Sequence, residues 1–241
     1  MKTAEKFFQI LYKVTVVIIK QMYYYGKEAL FSFQGGIVLP WNVLLSCGIC
    51  TLPVRVSVIC RKMGVSLCSY AQGYTLIQQF RLGPQTHDSD GFLFRIGDTP
   101  VIFYNQSKPV PRQRFTIAHE LGHLVLNHQG PLINREPSPK DNPVEQAANR
   151  FAADLLAPAC VLRGLKVRSA FGVAQLCDIS GPAASFRMAQ LRRLYEKDAY
   201  YMETYGRSYF FRSSLEWKLY RQFEPFIQSV RAADAARFGK N

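Results

Sequence analysis

No apolar run in this sequence is both long and unbroken enough to cross a bilayer. Residues 7–20, FFQILYKVTVVIIK, are short and are interrupted by Gln9 and Lys13. Residues 37–54, IVLPWNVLLSCGICTLPV, are longer but are broken by Pro40, Asn42 and Pro53. A spanning helix needs about 20 predominantly apolar residues, so no membrane partner is expected. The first run also lacks a small-residue A-x-A cleavage site, so a secretory leader is not expected. Cysteine is sparse, six in 241 residues, which argues against a disulfide framework and for reduced thiols in the cytoplasm. Cys47-x-x-Cys50 has no second C-x-x-C to complete a zinc site and reads as ordinary buried cysteine. No internal repeat or low-complexity stretch is present, which excludes solenoids and compositional linkers.

Acidic residues are scarce too, 17 against 30 basic ones, for a net charge of +13. The imbalance is local. Residues 1–110 hold 11 basic against 5 acidic, 111–160 hold 5 of each, and 161–241 hold 14 against 7. Basic flanks around a neutral centre suit nucleic acid, a membrane surface or an acidic partner, or else form a solvated surface. The apolar fraction, 48%, is enough for a sizeable core in one large domain or two small ones.

Pattern and punctuation outline the elements. LPVRVSVICRKMGVSLCSYA (52–71) predicts a helix opened by Pro53 and closed by Gly64, then a strand. FLFRIGDTPVIFYN (92–105) predicts a hairpin around Gly97-Asp98-Thr99. Pro109 and Pro111 precede a long helix over about 112–127, stopped by Gly130-Pro131. A polar loop over 133–143 leads to a second helix over about 143–157, with Asp141 or Asn142 as its cap and Pro158 at its end. The rest is helical by pattern.

Histidine is the scarcest informative residue. There are four in the chain, and three fall in RFTIAHELGHLVLNH (114–128). On a helix, His119 and His123 of the H-E-x-x-H stretch lie one turn apart on one face and can share a cation. Glu120 sits about 100° round, placed to take a proton from water on that cation. Zinc with three protein ligands keeps a fourth position for water and lowers the pKa of that water toward about 7. The bland alternative is a core helix, since its other positions are apolar nearly all round. The two readings do not compete, because histidines and a glutamate buried there without a partner would be costly.

Three residues compete for a third ligand. His128, nine residues beyond His119, points about 180° away unless the helix has already ended. His87 lies in the polar stretch GPQTHDSD and reads as solvated. Glu145 is the better choice: it opens the second helix, and Ala147, Ala148, Ala152 and Ala153 let that helix pack closely. Asn149, one turn on from Glu145, is the candidate outer partner that accepts a hydrogen bond from a ligand histidine. The metallopeptidase pattern H-E-x-x-H-x-x-G-x-x-H does not apply, because Leu126 and Gln129 occupy its last glycine and histidine positions.

RQRFTIAHELGHLVLNH (112–128) followed by EQAANRFAADLLAP (145–158) resembles the ImmA/IrrE family of metallopeptidases, with a looser likeness over about 50–235. The resemblance implies zinc held by His119, His123 and Glu145, with Glu120 as the catalytic glutamate, in a gluzincin-like arrangement. It also implies a cytoplasmic enzyme that cleaves a helix-turn-helix repressor. The expected fold is α+β: a small sheet packed on the active-site helix and a glutamate helix, with a C-terminal helical region. The expected division is an apolar extension over 1–40, a metallopeptidase domain over 41–160 and a helical region over 161–241. VAQLCDISGPAASFRMAQL (173–191) has the cadence of a helix-turn-helix, with Arg187, Arg192 and Arg193 beyond its turn. Nucleic-acid binding is not favoured, since no Asn or Gln cluster offers base readout. The alternatives are a DNA-binding regulator with a structural zinc site and a membrane-associated metallopeptidase.

Overall fold

The computed structural model describes residues 39–128, 142–211 and 213–238. The expected apolar extension over 1–40 and the expected loop over 133–143 fall almost wholly outside these residues. The fold class is α+β, and the chain divides into two compact units. The first comprises Val56–Ala148 and carries the sheet; the second comprises Val38–Arg55 and Asn149–Asn241 and is helical.

In the first unit, α2 (Val56–Lys62) ends at Gly64, whose φ of +70° is readily reached without a Cβ. The chain then enters β1 (Ser66–Ser69). Two short helices follow, α3 (Tyr74–Gln79) and α4 (Gly83–Asp88), the second forming where a polar loop was expected. β2 (Gly91–Ile96) and β3 (Thr99–Tyr104) make the expected hairpin. Its two-residue loop has Gly97 at φ +60°, the sign that type II′ hairpins need at the first loop position. β3 pairs antiparallel with β2 and parallel with β1, so the strand order is β1-β3-β2.

Being central, β3 is buried from Thr99 to Phe103 and reads as a nearly continuous apolar run. Val101 and Phe103 join Ile77, Leu82 and Phe92 in one core on a sheet face. There Phe92 and Phe103 stack with ring centroids 5.1 Å apart. Helix α5 (Val110–Val125) packs against β2 and β3. Asp90 fastens the start of β2 to that of α5, accepting from Arg112 Nε at 2.5 Å and pairing with Lys108 Nζ at 3.2 Å. Burial raises the Asp90 pKa, but these two cations outweigh it and hold the carboxyl below its usual range.

α6 (Pro143–Leu156) begins where expected. Asn142 caps it, its side-chain oxygen accepting from the Val144 N–H at 2.9 Å. Division into the two units falls within this helix, after Ala148.

The second unit holds α1 (Pro40–Ser46), α7 (Ala159–Gly164), α8 (Ala170–Cys177), α9 (Gly181–Tyr205), a 3-10 turn (Tyr209–Phe211) and α10 (Ser214–Phe238). α1 takes only seven residues of the apolar stretch 37–54, and no described helix is long and apolar enough to cross a membrane. Gln222 of α10 ties α1 in place, its amide donating to the carbonyls of Leu44 at 3.0 Å and Ile49 at 2.7 Å. α7 meets α10 at Gly164, where a Cβ would lie 2.8 Å from Ile227 and Tyr220 side-chain atoms. Cys47 is buried as expected; Cys50 is exposed, because it lies just beyond the turn that ends α1.

Candidate metal centre

Eight consecutive residues of α5, Thr116 to His123, are buried. The polar stretch is therefore inside the core, as its apolar flanks require. His119 and His123, one turn apart, turn their Nε2 atoms toward each other at 2.9 Å. Glu145 reaches the same point from the first turn of α6, with Oε2 3.2 Å from His119 Nε2 and Oε1 3.5 Å from His123 Nε2. All three side chains are buried, at 5%, 1% and 6% exposure. One ligand atom from each lies within 4.8 Å of the others.

This arrangement fits a metal ion better than it fits an ion pair. The two imidazole nitrogens, 2.9 Å apart, are close enough to share one cation or one proton. Glu145 Oε1 is buried with no hydrogen-bond partner, a position that costs about 1–3 kcal/mol unless something else satisfies it. Two neutral nitrogens and one carboxylate are the ligand chemistry of zinc, whose tetrahedral ligands stand about 3.3 Å apart. Neither His87, exposed on α4, nor His128 belongs to the group.

Glu120 stands beside this centre without being part of it. Its Oε2 accepts the backbone N–H of Leu93 in β2 at 3.1 Å. Leu93 lies opposite Ile102 in the hairpin, and its N–H turns away from β3 toward the glutamate. Close packing makes this possible. A Cβ on Gly91 would lie 2.4 Å from Thr116 Cγ2 of α5 and 2.7 Å from the Phe103 carbonyl. Only glycine lets the strand come that near the helix.

His128 is where the structure departs from helical extrapolation. α5 ends at Val125, and Asn127 adopts a left-handed φ of +52°. The His128 N–H then closes on the His123 carbonyl at 3.0 Å, a Schellman-type reversal. The side chain is thereby folded back, with Nδ1 2.9 Å from His123 Nδ1. Burial lowers the His128 pKa and outweighs the opposing charge of Glu145, which favours a neutral ring. Asn149, one turn beyond Glu145 on α6, is exposed.

The helical pair α8–α9 matches the expected cadence, but Arg187 is not presented to a partner. It is 6% exposed, donates to the Ala157 carbonyl at 2.8 and 2.6 Å and pairs with Asp154 at 2.8 Å. Other cations of this unit are engaged as well. Arg163 holds Asp198 at 2.7 Å, and Arg168 lies 4.4 Å over the Tyr195 ring. Arg192 and Arg193 remain exposed. Of these cations only Arg187 is buried.

Residues 75–170 match the family model Peptidase_M78, the IrrE N-terminal-like domain. The match covers α3 through α7 and includes His119, Glu120, His123 and Glu145. That stretch is thus similar to a peptidase domain of the IrrE type. No curated protein matches the chain by sequence.

Proposed function

We propose that the protein is a zinc-dependent endopeptidase that hydrolyses a peptide bond in a partner protein. The observation that carries this reading is the buried convergence of His119, His123 and Glu145 beside Glu120. In it, the two histidines and Glu145 would hold the metal. When bound, zinc supplies Lewis acidity toward a carbonyl and toward water.

Glu120 is the general base. Its carboxylate accepts the Leu93 N–H and lies outside the group formed by His119, His123 and Glu145. It takes the proton of the attacking water and passes it to the leaving amine. The edge of β2 suits an extended peptide. Among the described residues β2 pairs only with β3, so the outward Leu93 carbonyl and the Arg95 amide and carbonyl are placed to align a substrate strand, the Leu93 N–H being held by Glu120.

The substrate we infer is a helix-turn-helix repressor in the cytoplasm, in keeping with the family. Co-expression with a helix-turn-helix repressor encoded beside this gene tests the proposal. The expected result is truncation of the repressor by the wild type and none by Glu120→Gln, with equal zinc content. Equal truncation by Glu120→Gln would show that this glutamate does not do the chemistry. Repressor release without truncation would favour a regulatory role for the zinc site.

A further inference from the structure

We infer that His128 is a positioning residue for His123, holding the side of the ring that faces away from the metal ligands. The inference rests on the metallopeptidase reading, since it concerns how one ligand is oriented. His123 directs Nε2 at His119 and Glu145. A histidine that lends its Nε2 lone pair to a cation keeps its proton on Nδ1, and that N–H needs an acceptor. The group found there is Nδ1 of His128, 2.9 Å away. The two rings meet at 68° with centroids 5.0 Å apart. The rings meet at their edges and do not stack, which is compatible with an in-plane N–H directed at an in-plane lone pair. The bond therefore runs from His123 Nδ1–H to His128 Nδ1, with the His128 proton on Nε2.

The backbone is built for this contact. In a continuing helix, residue 128 would lie about 140° round from residue 123. The left-handed Asn127 breaks the helix and brings the ring back. Asparagine is among the few residues that adopt this conformation at low cost. The stretch Leu126-Asn127-His128 is thus a cap that doubles as the mount of a metal ligand.

The test compares wild type with His128→Leu, which has no acceptor, and His128→Asn, which has nearly the same shape as leucine but offers a carbonyl oxygen. Zinc affinity is read by competition with a chromogenic chelator at one pH, and ligand geometry by the visible spectrum of the cobalt-loaded proteins. Far-UV circular dichroism of the metal-free forms checks the fold. Removing such an outer partner typically costs 10–100-fold in affinity. We expect that loss and an altered cobalt spectrum in His128→Leu, and recovery of most of the affinity in His128→Asn. Equal affinity and spectra in His128→Leu and wild type would overturn the inference. So would equal weakening by leucine and asparagine, which would make the role one of packing. A wild type that binds neither metal would instead remove the metallopeptidase reading, and this inference with it.

Discussion

Replacing Glu145 by glutamine should change stability in different ways with and without metal. Glu145 Oε1 is buried and has no hydrogen-bond partner. An unsatisfied buried acceptor costs about 1–3 kcal/mol, and a neutral amide of the same shape removes the charge from that site. Metal-free Glu145→Gln is therefore expected to melt at the wild-type temperature or above it. With zinc at about 100 times the wild-type Kd, binding stabilises the wild type by about 2.7 kcal/mol. For a chain of this size that is a rise of roughly 5–11 °C in Tm. Losing an outer partner already costs about 10–100-fold in affinity, and a ligand at least the upper end of that. At the same zinc concentration, a 100-fold loss leaves RT ln 2, about 0.4 kcal/mol or roughly 1 °C. The measurement is differential scanning fluorimetry on chelated and zinc-loaded protein, side by side. An equal zinc shift in both proteins would refute Glu145 as a ligand. A metal-free variant that melts well below the wild type would refute the account of the unsatisfied carboxylate oxygen.

Three further outcomes follow from the geometry. Gly91→Ala should destabilise by about 1–3 kcal/mol, since its Cβ would meet Thr116 and the Phe103 carbonyl; hydrogen exchange at Leu93 should rise as its N–H leaves Glu120, and an unchanged rate would count against that link. Burial raises the Asp198 pKa, but donation from Ser208, Arg163 and the Tyr209 N–H lowers it overall. With a depressed folded pKa, its contribution is present above about pH 4 and lost as pH falls below that. The stability gap between wild type and Asp198→Asn should thus be roughly 1–3 kcal/mol at pH 7 and should close in acid; a gap that persists in acid would contradict the ion pair. Thiol alkylation should modify exposed Cys50 quickly and spare Cys160, whose pKa is pushed up to about 12 chiefly by burial. Mass spectrometry of the labelled peptides decides this, and early labelling of Cys160 would count against the packing of the second unit.

The helices and the hairpin were largely legible because their signals are local. Pro109 and Pro111 flag the start of α5, Asn142 caps α6, and Gly97 supplies the positive φ of the hairpin. The parallel pairing of β1 with β3 carried no such local mark, since it depends on a crossover. α4 was missed because Thr86 anchors it by donating to the Gly83 carbonyl at 2.7 Å, inside a stretch whose composition reads as loop. Arg187 looked like a surface cation at the end of a turn. Tertiary packing buries it against the Ala157 carbonyl and Asp154.

For the site, the sequence determined the pair His119 and His123 and the neighbouring Glu120, because helical spacing alone puts two imidazoles on one face. It singled out Glu145 by residue type and by the start of a helix, without a distance. Only the tertiary structure brought Glu145 within 3.2 Å of His119, put the Leu93 N–H on Glu120 and returned His128 to His123. These three contacts depend on how a strand and a second helix pack and on one left-handed residue. Helical periodicity carries no information about where a helix stops or what approaches it from outside.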